Sequence, residues 1–367
     1  MDYRELSTPA LIIDREILEN NLRWMQDYAD AQGVGLRPHT KTHKMASIAR
    51  RQAELGAKGI TVAKVGEAEA MAAEGLTDIF IANEVVGDDK LARVRKLAET
   101  IDISFGLDSI EQANLVERAF TGGKPARVVI EIEVGEERSG IIEESDFRAL
   151  LTHLKSCPHI QLLGVFSHEG HCYNVESKEA CKEAFEIAVE RTLGFARIME
   201  EMGFPAQVVS IGSTPSLMFG FDIPKGVTEM RPGTYVLMDA SQGHALGTLD
   251  RCAATILTTV ISRPTSERVI TDVGAKGITA QTRTKGICAT PGLGLVKGWE
   301  DVHVFDVYDE HAIIYNARFR EGVRVGEKVE FYPNHICPVV NLYDSVWLVS
   351  EGQVVEELKV TCRGLLT

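Results

Sequence analysis

Eight short β-rich runs alternate with helical stretches over residues 35–230, and this rhythm constrains the fold more than any other feature of the chain. The runs lie at 35–39, 59–63, 78–82, 102–105, 127–134, 161–166, 207–211 and 226–230. Between most of them, stretches such as 45–55, 67–74, 109–119, 145–155 and 177–202 carry apolar residues at helical spacing. Eight consecutive strand and helix units point to a closed (β/α)8 barrel of the TIM type more than to an open sheet. An earlier run at 8–13 reads as an entering strand, and Asp14 as the cap of an amphipathic helix through Leu18, Leu22 and Met25.

Beyond about residue 235 the texture changes. Runs at 255–262, 268–272, 302–308, 312–317 and 328–331 are strand-like with glycine and proline punctuation, and helical periodicity is scarce. The expected organisation is an α/β barrel over 14–239 followed by a mostly antiparallel β-domain over 240–367, which residues 1–13 join.

The formal net charge of −14 argues against a general nucleic-acid binder, so a local basic site in this chain points to a small anionic ligand. Residues 1–6 contain no basic segment leading into an apolar one, and no apolar run approaches the roughly 18 residues of a membrane span. A soluble cytoplasmic protein with no membrane partner is expected. The seven cysteines are odd in number and scattered, with no Cys-x-x-Cys pair, which disfavours a disulfide framework.

In such barrels the chemistry lies at the C-terminal ends of the strands. Those ends read Lys41, Asn83, Arg138, then Ser167-His168-Glu169-Gly170-His171-Cys172-Tyr173, then Gly212-Ser213-Thr214. Lys41 sits in Arg37-Pro38-His39-Thr40-Lys41-Thr42-His43-Lys44, where Pro38 biases Arg37 toward extended geometry. A lysine crowded by like charge has a lowered pKa and suits Schiff-base chemistry. The same stretch is equally readable as a solvated basic turn.

Gly212-Ser213-Thr214-Pro215-Ser216 follows a β-branched strand and reads as a phosphate cradle or as a plain helix cap. Arg231-Pro232-Gly233-Thr234-Tyr235 follows the eighth run, and barrels often split a phosphate site between these two positions. His168, His171 and Tyr173 are candidates for a base, a metal ligand or a cofactor neighbour. Read as an extended segment, Pro333-Asn334-His335-Ile336-Cys337-Pro338 places His335 and Cys337 on one face, an imidazole and thiolate pair suited to Zn2+.

Taken together, these motifs resemble the fold-type III pyridoxal-phosphate enzymes, and more narrowly the D-serine dehydratase and D-threonine aldolase family with its alanine racemase-like barrel. The resemblance covers almost the whole chain. It implies that Lys41 forms the Schiff base with pyridoxal 5'-phosphate, with Lys44 as a secondary candidate. Arg138 would approach the cofactor's phenolic oxygen, and Tyr173 would border it. Gly212, Ser213 and Thr214 would contact the phosphate, with Gly233, Thr234 and Tyr235 as further contacts. His335 and Cys337 would bind a divalent metal, Zn2+ in preference to Mn2+ or Mg2+. A homodimer is implied, with sites built from one subunit's barrel and the other's β-domain.

The implied activity is that of a lyase on 3-hydroxy-D-amino acids such as D-serine, D-threonine or 3-hydroxy-D-aspartate. Two routes share these parts. In β-elimination Lys41 removes the α-proton and the metal activates the hydroxyl, giving a 2-oxo acid and ammonia. In retro-aldol cleavage a base, with His171 as candidate, takes the hydroxyl proton and releases glycine and an aldehyde. The aldolase branch usually carries aspartate where this chain has Cys337, which tilts the reading toward the dehydratase branch. Other readings are a non-catalytic pyridoxal-phosphate carrier, or a barrel hydrolase with metal on His168, His171, His335 and Cys337. A substrate with a second carboxylate would want an extra cation, for which His43, Lys44 and Arg283 are candidates.

Overall fold

The structure is a computed structural model, and it describes residues 1–299 and 301–367. The chain enters through β1 (Ala10–Asp14) and turns at once into the helix Arg15–Gln32. Asp14 Oδ1 accepts the Ile17 N–H at 2.9 Å and starts that helix, and Gly33 ends it in the left-handed region at φ +67°. Leu18, Leu22, Met25 and Ala29 recur every three or four residues and are buried together, which seats the helix against the barrel.

Eight parallel strands follow: β2 (Gly35–Leu36), β3 (Ile60–Val62), β4 (Asp78–Glu84), β5 (Asp102–Leu107), β6 (Ala126–Ile132), β7 (Ile160–Ser167), β8 (Val208–Ile211) and β9 (Glu229–Met230). Each coincides with one of the eight runs read from the sequence. Their order is β2-β9-β8-β7-β6-β5-β4-β3, the wrapped order of a barrel. Pro38 has no N–H, so the ladder of β2 breaks there and resumes at His39, which bridges to Thr61. Thr61 donates to Pro38 O and Thr40 to Thr61 O, both at 2.8 Å, and these bonds close the ring immediately before Lys41.

Inside the ring Phe80, Val129, Leu163 and Phe166 form a separate apolar plug. Phe80 and Phe166 meet edge to face at 5.1 Å, and the Arg231 guanidinium lies over both rings. This stack floors the cavity at the C-terminal ends of the strands.

The second sheet is built on β10 (Ala254–Ser262), which pairs antiparallel with β1, with β11 (Arg268–Thr271) and with β15 (Lys328–Pro333). The other strands are β12 (Gly294–Val296), β13 (Asp306–Val307), β14 (Ala312–Tyr315), β16 (Ser345–Ser350) and β17 (Gln353–Lys359). Every pairing is antiparallel except that of β1 with β16. Three of these strands, β12, β16 and β17, had not been read from the sequence. The run expected at 302–308 shrinks to β13, and 312–317 ends at Tyr315 because Asn316 caps a short helix, Ala317–Gly322, through the Phe319 N–H. Among the described residues no helix is long and apolar enough to cross a membrane.

Candidate active site

A cavity of about 380 Å3 opens at the C-terminal ends of the barrel strands. Of the motif 37–44, only His39 and Lys41 reach it. The remaining cations of that stretch are neutralised. Arg37 pairs with Asp78 at 2.6 Å and Glu229 at 3.0 Å, and Lys44 Nζ lies 2.5 Å from Glu67 Oε1. Lys44 is therefore held away from the cavity in a buried ion pair, which removes it as the Schiff-base candidate. Burial is the main force lowering the Lys41 pKa, helped by Arg138 and Arg231 and opposed by Cys337 and Glu67. The direction matches the sequence reading, but the like charge comes from arginines distant in the chain rather than from the basic motif itself.

Two histidines beside Lys41 are held neutral. Burial pushes His39 and His168 well below the usual imidazole range, and the Lys41 charge adds to it. His168 Nδ1 donates to Gly212 O at 2.8 Å, which leaves Nε2 bare of a proton. Arg231 is buried with its guanidinium on Ser210 Oγ and Ser167 O. Burial lowers its pKa to about 10, so it stays cationic at neutral pH. The sequence reading assigned no role to His39 or Arg231; only closure of the barrel brings them to one wall.

The turn 212–216 is organised by Glu169, a fully buried residue the sequence reading passed over. Its carboxylate accepts from Gly212 N (3.2 Å), Ser213 N (2.8 Å) and Ser216 Oγ (2.7 Å). Those backbone donors, expected to face a phosphate, are thus turned inward. The donors left at the cavity are the N–H groups of Thr214 and Gly233, which have no acceptor among the described residues, and the Thr214, Ser213 and Thr234 hydroxyls. A Cβ on Gly233 would come within 3.0 Å of His39 O and Thr42 Oγ1, so glycine keeps that approach open. Free N–H groups, small residues and a pKa-lowered lysine on one cavity fit pyridoxal phosphate. Tyr235 lies outside: it is fully buried and its hydroxyl accepts from Gln52 at 2.9 Å.

On the opposite wall Arg138 donates to Glu131 Oε1 at 3.3 Å, and Ser139 Oγ to Glu131 Oε2 at 2.8 Å. Glu84 also faces the cavity; burial and the neighbouring Glu131 raise its pKa to about 9, so Glu84 keeps its proton at neutral pH. Tyr173 lines the cavity with its phenol kept protonated by burial. His171 does not line it; its ring packs against Gly135, and Nδ1 is buried without a partner among the described residues.

His335 and Cys337 are not on an extended segment. His335 caps the short helix Ile336–Val340, whose first N–H is taken by Asp239 Oδ2 at 3.1 Å, and Pro338 falls in the first helical turn where it is tolerated. The pair nevertheless faces one place. Cys337 Sγ lies 3.2 Å from Thr42 Oγ1 and 3.7 Å from Thr234 Oγ1, and His335 Nδ1 lies 3.5 Å from Asp239 Oδ2. Burial pushes the thiol up, but His335, Thr42 and Lys41 pull it to about 7. Burial pushes His335 down, but Cys337 and Asp239 raise it to about 9. A thiol that ionises near neutrality beside an imidazole suits Zn2+. Among the described residues no group of three or more His, Cys, Asp or Glu gathers to hold a metal, so His168 and His171 do not join the pair. Within one chain the pair stands beside the cavity without lining it, with Cys337 against Thr42 and Thr234.

Residues 13–241 match the family model for the alanine racemase N-terminal domain, and residues 253–349 that for the serine dehydratase domain. A D-threonine aldolase of Arthrobacter sp is 33% identical over 98% of this chain and 93% of its own length. The chain belongs to the D-threonine aldolase and D-serine dehydratase family. A D-threo-3-hydroxyaspartate dehydratase of Delftia sp. is 30% identical over 90% of this chain and 91% of its own. The crystal structure of a D-threonine aldolase from Filomicrobium marinum superposes with a TM-score of 0.89 at 28% identity, covering 100% of this chain and 98% of that one. Two solved variants of D-threo-3-hydroxyaspartate dehydratase replace a histidine and a cysteine two positions further on, the latter in a metal-free form. This family consists of pyridoxal-phosphate-dependent lyases, and it contains both aldolases and dehydratases.

Proposed function

We propose that this chain is a dehydratase of 3-hydroxy-D-amino acids that releases a 2-oxo acid and ammonia with pyridoxal 5'-phosphate and a divalent metal. The observation that carries the reading is the His335 and Cys337 pair held beside Thr42, one residue from Lys41. Its His-x-Cys spacing is that of the two residues replaced in the D-threo-3-hydroxyaspartate dehydratase variants.

Pyridoxal phosphate, when bound, supplies the electron sink for negative charge at Cα, and a divalent metal supplies a Lewis acid for the β-hydroxyl. The chain does the rest. Lys41, its pKa lowered by burial, takes the Cα proton onto Nζ. Arg231 stays charged at the cavity floor, Arg138 is steered by Glu131, and the Thr214 and Gly233 N–H groups receive an anion. Neutral His39 and His168 keep further positive charge away from Lys41. The proposal includes a homodimer.

Retro-aldol cleavage is the second reading, favoured by the 33% identity to a D-threonine aldolase. Against it, His171 packs against Gly135 and, unlike Cys337, touches no residue next to Lys41. Incubation with D-threonine, pyridoxal phosphate and Zn2+ or Mn2+ separates the two. 2-Oxobutyrate and ammonia are the expected products; acetaldehyde and glycine would overturn the reading.

A further inference from the structure

Of the three cations that the sequence offered for a second substrate carboxylate, two are excluded by their surroundings. His43 is fully buried, its Nδ1 accepts the Met45 N–H at 3.1 Å, and burial lowers its pKa to about 4. Lys44 is bound to Glu67. Arg283 differs from both. Its guanidinium makes no ion pair with any carboxylate among the described residues, and its Nε is buried with no hydrogen-bond partner. Its side-chain neighbours are two residues of the site: Nη2 lies 2.9 Å from His335 Nδ1, and Cζ stands 5.3 Å from the Tyr173 ring centroid.

The loop that carries Arg283 is fastened to the segment after Tyr173, to Ser241 and to Asn334. Thr290 N–H closes it onto Arg283 O at 2.8 Å, Ile287 N–H binds Val175 O at 2.7 Å, and Ser241 Oγ binds Cys288 O at 2.8 Å. Asn334, next to His335, holds Gln281 O and Gly292 O. Gly286, at φ +64°, lies so close to Asn174 that a Cβ there would come within 2.3 Å of its carbonyl carbon. The loop therefore docks backbone to backbone against the segment after Tyr173, and the guanidinium is presented in place.

A guanidinium is charged at every physiological pH, and one left partly buried without a counter-ion is unfavourable until an anion arrives. It hydrogen-bonds to the imidazole of the metal-ligand candidate pair, which under the proposed function faces the substrate's Cβ and its hydroxyl. We infer that Arg283 is the specificity-determining residue of this site and selects substrates with a carboxylate on Cβ, the 3-hydroxy-D-aspartate class, over D-serine and D-threonine. This rests on the proposed function for which side of the substrate Arg283 faces, but not on which bond is broken. Its planar fork matches a carboxylate in two hydrogen bonds, which a lysine at that position would not reproduce.

The test compares kcat/KM for D-threo-3-hydroxyaspartate and D-threonine in the wild-type holoenzyme, Arg283→Met and Arg283→Lys, scoring substrate consumption whatever the product. The wild type should prefer the dicarboxylate. Arg283→Met should lose about 100-fold on it, with Arg283→Lys in between, while D-threonine changes by less than about threefold. Retained D-threonine turnover also shows that the variant folds. Equal losses on both substrates, or no loss on the dicarboxylate, would overturn the inference. Malate, a hydroxy-dicarboxylate without an amino group, provides a second readout by calorimetry: it should bind the wild type and not Arg283→Met, and unchanged binding would also overturn it. A wild type inactive on both amino acids strikes the proposed function, and the malate measurement then decides for or against Arg283 alone.

Discussion

Cys337 Sγ stands 3.2 Å from Thr42 Oγ1, so a thiol from the β-domain touches the residue that follows Lys41 in the barrel. Residues almost 300 positions apart in the chain are thereby joined beside the cavity, where the hydroxyl shares a hydrogen bond with a sulfur that ionises near neutrality.

Replacing either member of the pair should empty that site of metal. Cys337→Ala and His335→Ala should lose bound Zn2+ on dialysis, read by mass spectrometry, and dehydration should fall by roughly two orders of magnitude. Metal retained at wild-type stoichiometry in both variants would show that other residues hold it.

The two lysines of the motif should separate cleanly. Lys41→Ala should abolish turnover and the visible cofactor band, expected at roughly 410–420 nm, with little change in melting temperature. Lys44→Met should keep the band but lose about 3–5 kcal/mol of stability, because it leaves Glu67 buried without its cation. Calorimetry and absorbance on the same two proteins check this, and a band that survives in Lys41→Ala and not in Lys44→Met would reverse the assignment.

Glu84 should make stability depend on pH. Its carboxyl holds a proton up to about 9 in the folded chain against 4.5 for the free group, so the folded state binds the extra proton between those values. Stability is then fullest below about pH 4.5 and falls as pH rises toward 9, after which this contribution is gone. Glu84→Gln should flatten that slope, raising the melting temperature relative to wild type at pH 8 and not at pH 5. Parallel melting curves against pH for the two proteins would disprove the raised Glu84 pKa.

Glu169 should matter for cofactor binding without touching the cofactor. Glu169→Gln places an amide N–H where backbone N–H groups of Gly212 and Ser213 need an acceptor, which misdirects the turn. Pyridoxal phosphate affinity, followed by absorbance titration, should weaken by about tenfold or more, the loss expected from about 1.4 kcal/mol of misplaced binding. Unchanged affinity would mean that the turn holds its shape without the carboxylate.

Much of the barrel was legible because its signals are local. Each strand is a short β-branched run between helical stretches, and period and length alone place it. The same logic found Lys41, since a residue just past a barrel strand faces the catalytic end. The β-domain was less legible. β12 is three residues long, and β16 and β17 pair with each other and with β1 at the far end of the chain, a partnership set by long-range register rather than local pattern. His335 and Cys337 were found as a pair by their spacing, although the backbone there is a helix start, because Asp239 in the barrel caps it from 97 positions away.

Local pattern specifies the repeating unit, the lysine at the first strand end and the residue types able to hold an anion and a metal. Only the tertiary structure decided which cations are free. Arg37 and Lys44 are charged in the sequence and silenced in the fold, Arg231 and Arg138 come from elsewhere to press on Lys41, and of the groups offered for a second carboxylate Arg283 is the one that stays charged with no carboxylate among the described residues. The physical reason is that Coulomb interactions and burial act through space. A charge's partner is fixed by which elements close against each other, and one-dimensional order does not carry that information.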